Sequence, residues 1–98
     1  MVEDKKRIAK ALAENLGMLR KKIKITQEEL AEKIGVSRHT IIAIESGKKE
    51  MNWSICLALI MIFSENDETK NLLEFLEIIG DNISNIISVE NNFDGGKQ

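Results

Sequence analysis

Few side chains in this 98-residue sequence could do covalent or metal chemistry. Cys56 is the single cysteine and His39 the single histidine. A disulfide framework, a cysteine-based zinc site and a multi-histidine metal centre are therefore excluded. Carboxylates are frequent, among them Glu14, Glu28, Glu29 and Glu32, but no nucleophile–base pair, phosphate loop or ligand cluster converges on them. The expectation is a protein that is not an enzyme, with no catalytic residue, metal or cofactor. What remains is cationic. The formal charge of −2 divides into 12 basic and 8 acidic residues in 1–50, and 2 basic and 8 acidic in 51–98. A +4 half beside a −6 half points to an anion-binding half and a half with another task.

These residues need elements to position them. The chain is 43% hydrophobic, which argues against disorder, and it contains no proline to interrupt helices. The longest apolar run, Ile55 to Phe63, is nine residues, well short of the roughly 20 that span a bilayer. The first residues, Met1-Val2-Glu3-Asp4-Lys5-Lys6-Arg7, lack the apolar core of a signal peptide. A soluble cytoplasmic protein with no membrane association is expected.

Apolar spacing predicts a first helix from about Glu3 to Lys22, with Ile8, Ala11, Leu12, Leu16 and Leu19 on one face. Lys5, Lys6, Arg7 and Lys10 read as a solvated face rather than an arm on a ligand. Thr26-Gln27-Glu28-Glu29 reads as a capping box that opens a second, short helix, and Gly35 ends it. Ser37 caps a third helix whose inner stripe is Ile41 and Ile44, and Gly47 ends that one. A fourth helix runs from Trp53 to Phe63 behind Asn52, apolar nearly all round, with Trp53 and Cys56 as packing residues. A fifth runs from Asp67 to Ile79. Ile83, Ile86, Ile87 and Val89 continue the apolar pattern, and 91–98 reads as a loose tail.

Two short helices around a glycine turn make a helix-turn-helix over Gln27–Ser46, with Leu30, Ile34, Val36, Ile41 and Ile44 facing inward and the small Ala31 between the helices. The stretch Leu19-Arg20, Thr26-Gln27-Glu28-Glu29-Leu30-Ala31, Gly35-Val36-Ser37 and Ile44-Glu45-Ser46-Gly47-Lys48 resembles the phage repressor/Cro type of helix-turn-helix, the XRE family. The resemblance covers about residues 8–63, most specifically 16–48. It implies an all-α, compact five-helix lambda-repressor-like bundle, here with a C-terminal helical extension. The implied organisation is a DNA-binding domain at 1–66, a helical extension at 67–90 and a flexible tail at 91–98.

The resemblance also implies roles. Gln27 would contact a phosphate at the start of the second helix. Ser37 and Arg38 would open a recognition helix at 37–46, Arg38, His39, Ile42 and Ala43 would form its outer face toward base edges, and Thr40 would be a further DNA-binding residue. Lys48 and Lys49 would grip phosphate after it. Arg20 and Glu45 match a pair that braces the first helix to the third. Physical chemistry agrees: helix N-termini attract phosphate, a guanidinium such as that of Arg38 can donate twice to guanine N7 and O6, and Ile42 and Ala43 suit thymine methyls. Two departures stand out. Lys24 occupies a position where the family often has glycine, and a left-handed backbone there would cost it roughly 1–2 kcal/mol unless the loop turns differently. Glu50-Met51-Asn52 replaces a segment that often contains proline, and it puts Glu50 near the expected phosphate.

The implied function is a sequence-specific transcriptional regulator, a dimeric repressor on a pseudo-palindromic operator in double-stranded DNA. The wide apolar stripe after residue 71 is expected to cap the core and to form a homodimer interface through Phe75, Ile78, Ile79, Ile83, Ile86 and Ile87. The alternative is an antitoxin or other protein-interaction module of the same fold, with a toxin or another protein as partner.

Overall fold

Twenty-one consecutive residues, Val2–Lys22, form α1 in the computed structural model, which describes residues 2–80. Ile8, Leu12, Leu16 and Leu19 recur every three or four positions and are all fully buried, so one face of α1 forms a wall of the core. The other elements are α2 (Gln27–Ile34), α3 (Arg38–Glu45), α4 (Trp53–Ser64) and α5 (Asp67–Phe75). α2 packs on α3, α1 lies against α3, α4 and α5, and α4 packs on α5. Every described element is helical.

Side-chain caps set the starts of the short helices. Glu29 N–H donates to Thr26 Oγ1 at 3.0 Å and Thr26 N–H donates to Glu29 Oε1 at 2.9 Å, the reciprocal pair of a capping box. Ser37 Oγ accepts from Thr40 N–H at 3.1 Å to open α3. Asn52 Oδ1 accepts from Ile55 N–H at 2.8 Å to open α4. Asn66 does the same for α5, taking Glu68 N–H at 2.9 Å. Each cap satisfies a backbone donor that the first helical turn leaves without a partner.

Helix ends account for the main difference from the sequence reading. α5 stops at Phe75, four residues short of the Ile79 expected from apolar spacing. Glu77 takes a left-handed backbone, φ 61°. Its N–H donates to Glu74 O at 3.0 Å, and Ile78 N–H donates to Leu73 O at 2.8 Å. That is the Schellman arrangement, in which a left-handed residue lets the chain turn back over the last helical turn. Glycine usually fills the position, so a glutamate gave no stop signal. α1 ends the same way at Lys24, φ 57°, with Ile25 N–H donating to Arg20 O at 3.1 Å. Of the two possibilities at Lys24, the left-handed backbone is the one adopted. Gly35 and Gly47 fill the equivalent positions after α2 and α3, φ 79° and 81°.

The reversal at Glu77 turns Ile78 inward. Ile78 is 1% exposed and joins Leu73, Phe63 and Leu12 in one core, so it is not available to a dimer interface as expected. Ile79 is half-buried against the same core. Phe75, on the far side of α5, is 81% exposed. Ile83, Ile86 and Ile87 lie outside the described residues.

Candidate nucleic-acid interface

α3 is eight residues long, and only Ile41 and Ile44 are fully buried under it. Their three-residue spacing fixes the helix's rotation and therefore which side chains face out. Ser37, Arg38 and His39 are exposed at its N-terminal end, and Thr40, Ile42 and Ala43 are half-buried along its flank. The Ser37 and Thr40 hydroxyls share a hydrogen bond at 2.9 Å, which occupies one of their two hydroxyl protons and leaves the other free to donate outward. After α3 the chain turns at Gly47, where Lys48 N–H donates to Ala43 O at 2.9 Å. Lys48 and Lys49 are both exposed beyond that turn.

The orientation of α3 against α1 and α2 is held by a polar brace. Arg20 Nε donates to Glu45 Oε2 at 2.7 Å, and Arg20 Nη2 donates to Glu45 Oε1 at 3.2 Å. The third guanidinium nitrogen, Nη1, donates to Ile25 O at 3.0 Å in the α1–α2 turn. Both side chains are nearly buried, at 12% and 14% exposure, so this is not a solvent-screened surface pair. Burial alone would raise the Glu45 carboxyl, but the hydrogen bonds from Arg20 and Gln27 outweigh it and hold Glu45 below its usual 4.5.

Gln27 is where the structure adds most to the sequence reading. Its Nε2 donates to Glu45 Oε1 at 2.9 Å, so its side chain is a member of the brace. The second Nε2 proton and the carbonyl oxygen are left for any outside partner. The two residues are 18 apart in sequence, and neither type marks the contact in advance. One carboxylate thus gathers α1, α2 and α3 at the point where the N-terminus of α2 meets the C-terminal end of α3.

Cys56 is buried in α4, and burial pushes its thiol up to about 12, so it stays protonated. Among the described residues no three His, Cys, Asp or Glu side chains gather as metal ligands, and no helix is long and apolar enough to cross a membrane.

Known proteins resemble this chain over the same region. A helix-turn-helix family model matches residues 16–52, from the brace-bearing end of α1 through the turn after α3. An uncharacterised HTH-type transcriptional regulator of Archaeoglobus fulgidus is 34% identical over 61 residues, covering 62% of this chain and 87% of the relative. One from Methanocaldococcus jannaschii is 49% identical over 39 residues, 40% of this chain and 59% of the relative. One from Methanothermobacter thermautotrophicus is 62% identical over 29 residues, 30% of this chain and 42% of the relative. The chain thus spans less than two thirds of the last two. No solved structure matches it.

Proposed function

The chain belongs to the XRE-type helix-turn-helix family of transcriptional regulators, and from that premise we propose that it binds double-stranded DNA with α3 in the major groove. The observation that carries this reading is the exposed N-terminal end of α3, Arg38 and His39, on a helix whose C-terminal end is tied to Gln27 at the start of α2 and followed by the exposed Lys48–Lys49 segment. A major groove admits one helix, and Arg38 has the geometry to donate twice to one guanine. Gln27, Ser37 and Thr40 contribute phosphate contacts from the helix N-termini, where unpaired N–H groups favour anions. Lys48 and Lys49 add charge contacts to the same backbone. Ile42 and Ala43 present only carbon and favour thymine methyls. The Arg20–Glu45–Gln27 brace keeps α3 at a fixed angle to the helix that holds the phosphate, so base reading and backbone gripping stay in register.

In this reading the protein is a repressor that acts as a homodimer. Phe75 and Ile79 contribute to the subunit contact, and two recognition helices lie about 34 Å apart on a pseudo-palindrome. Repression follows from occupying a promoter, and the protein works in the cytoplasm. Selection of bound sites from random duplexes tests DNA binding, half-site symmetry and base preference at once. Enrichment of a palindrome with half-sites about 10 base pairs apart supports it. Binding that enriches no sequence and survives Arg38→Ala with His39→Ala overturns it.

A protein-interaction module, such as an antitoxin, is the second reading. The exposure of Phe75 at 81% and Met61 at 70% favours it, because both are large apolar side chains left in water. Capture of one defined protein partner by the wild type, lost in Phe75→Ser and Met61→Ser, favours this reading over the homodimer.

A further inference from the structure

The four basic side chains near the start of α1 are put to different uses. Lys5 Nζ stands 5.5 Å from the centre of the Trp53 ring, a cation–π contact that ties α1 to α4. Arg7 Nη1 donates to Glu77 O at 3.3 Å, which ties α1 to the turn after α5. Lys6 and Lys10 do neither. Both are exposed, and neither takes part in an ion pair among the described residues. They line one wall of a groove whose other wall carries Ser46, Gly47 and Lys49.

This half of α1 is a packed element rather than a loose arm. Ile8 is fully buried between the two lysines, and Leu12 is fully buried one turn on. Lys6 and Lys10 are four residues apart on the same helical face, and like charges at that spacing weaken a helix. No opposing carboxylate offsets them at ion-pair distance among the described residues. Glu14, Glu45 and Glu50 also line the groove, but Glu45 is already held by Arg20 and Gln27. Lysine stems are long and flexible, so their ammonium groups can rise above Glu14 and Glu50 toward a polyanion outside the groove.

We propose that Lys6 and Lys10 extend the phosphate-gripping track of Lys48 and Lys49 along α1, so that the protein holds more of the DNA backbone than the helix-turn-helix reaches. The occupant is duplex DNA because the groove runs directly on from the Gly47–Lys49 turn and, with Glu45 held by Arg20 and Gln27, its lining sets three lysines, Lys6, Lys10 and Lys49, against two carboxylates, Glu14 and Glu50. This inference rests on the DNA-binding reading.

The test is a salt titration of binding to a random-sequence duplex of about 30 base pairs. Wild type is compared with Lys6→Gln/Lys10→Gln, with Lys48→Gln/Lys49→Gln, and with Lys70→Gln on α5. All five lysines are exposed, so the variants retain the fold, which circular dichroism verifies. Each phosphate contact adds about 0.9 to the slope of log K against log salt, so the α1 double variant lowers the slope by about 1.8 and Lys70→Gln leaves it alone. A wild-type slope in the α1 variant, with the slope still lowered in the 48/49 variant, overturns the α1 track and leaves the DNA-binding reading standing. An equal loss per residue from Lys70→Gln reduces the effect to net charge and also overturns the track. Absence of DNA binding by the wild type overturns both.

Discussion

Arg20 and Glu45 meet side-on through two hydrogen bonds, 2.7 and 3.2 Å, although 25 residues separate them. The pair fixes the helix bearing the exposed basic residues against the longest helix in the protein. Removing one partner leaves the other charge nearly buried and unmatched, which costs more than the pair contributes when intact. Arg20→Met is expected to lower stability by about 2–3 kcal/mol, and Glu45→Gln by about 1–2 because an amide oxygen still accepts one bond. Urea denaturation of each variant measures this.

The same pair predicts a pH signature. The folded carboxyl of Glu45 lies below its usual 4.5, so its contribution is fully present above that value and is lost as pH falls through the depressed folded value. The wild type should therefore lose more stability than Glu45→Gln between about pH 5 and pH 3. Parallel denaturation midpoints across that range would expose the prediction as wrong.

Lys24 and Glu77 hold left-handed backbones at φ 57° and 61° where glycine carries no steric penalty. Replacing either with glycine removes strain of about 1–2 kcal/mol and adds about 0.5–1 kcal/mol of chain entropy to the unfolded state. Lys24→Gly and Glu77→Gly should each raise stability by up to about 1 kcal/mol, or about 4–8 °C in Tm. Lys24→Val should do the opposite, because a β-branched residue tolerates the conformation worst. Thermal melts of the three variants decide it.

Ile78 and Phe75 are three positions apart with opposite surroundings, 1% and 81% exposed. Ile78→Ala should cost about 2–4 kcal/mol of folding stability through the cavity it leaves. Phe75→Ala should leave monomer stability within about 0.5 kcal/mol and weaken self-association. Sedimentation across a concentration series, read beside the melts, separates the two effects. A Phe75→Ala variant that associates like the wild type would remove Phe75 from any subunit contact.

Base and phosphate contacts should separate by their behaviour. Arg38→Ala is expected to cost about 1–3 kcal/mol on a selected site and to relax preference at one base pair. Lys48→Ala should weaken binding evenly across sequences and lower the salt slope by about 0.9. Binding curves for one selected duplex and its single-base variants give both numbers.

Local chemistry made much of this protein legible from its residues alone. Thr26 with Glu29, Ser37 and Asn52 announce helix starts because each cap acts within three residues of sequence. The periodicity of Ile8, Leu12, Leu16 and Leu19 sets the buried face of α1 for the same reason, since helix geometry is local. The exposed positions of Arg38 and His39 follow once Ile41 and Ile44 are recognised as the inner stripe. Tertiary structure alone decided what depends on distant partners. The end of α5 was hidden because Glu77 takes a conformation that its residue type does not advertise, and burial of Ile78 in the shared core offsets the strain. Gln27 joined the brace because folding brings α2 across to Glu45, a meeting that no spacing within either helix encodes. Lys5, Lys6, Arg7 and Lys10 look alike in sequence, and only the positions of Trp53, Glu77 and Lys49 around α1 give them separate surroundings.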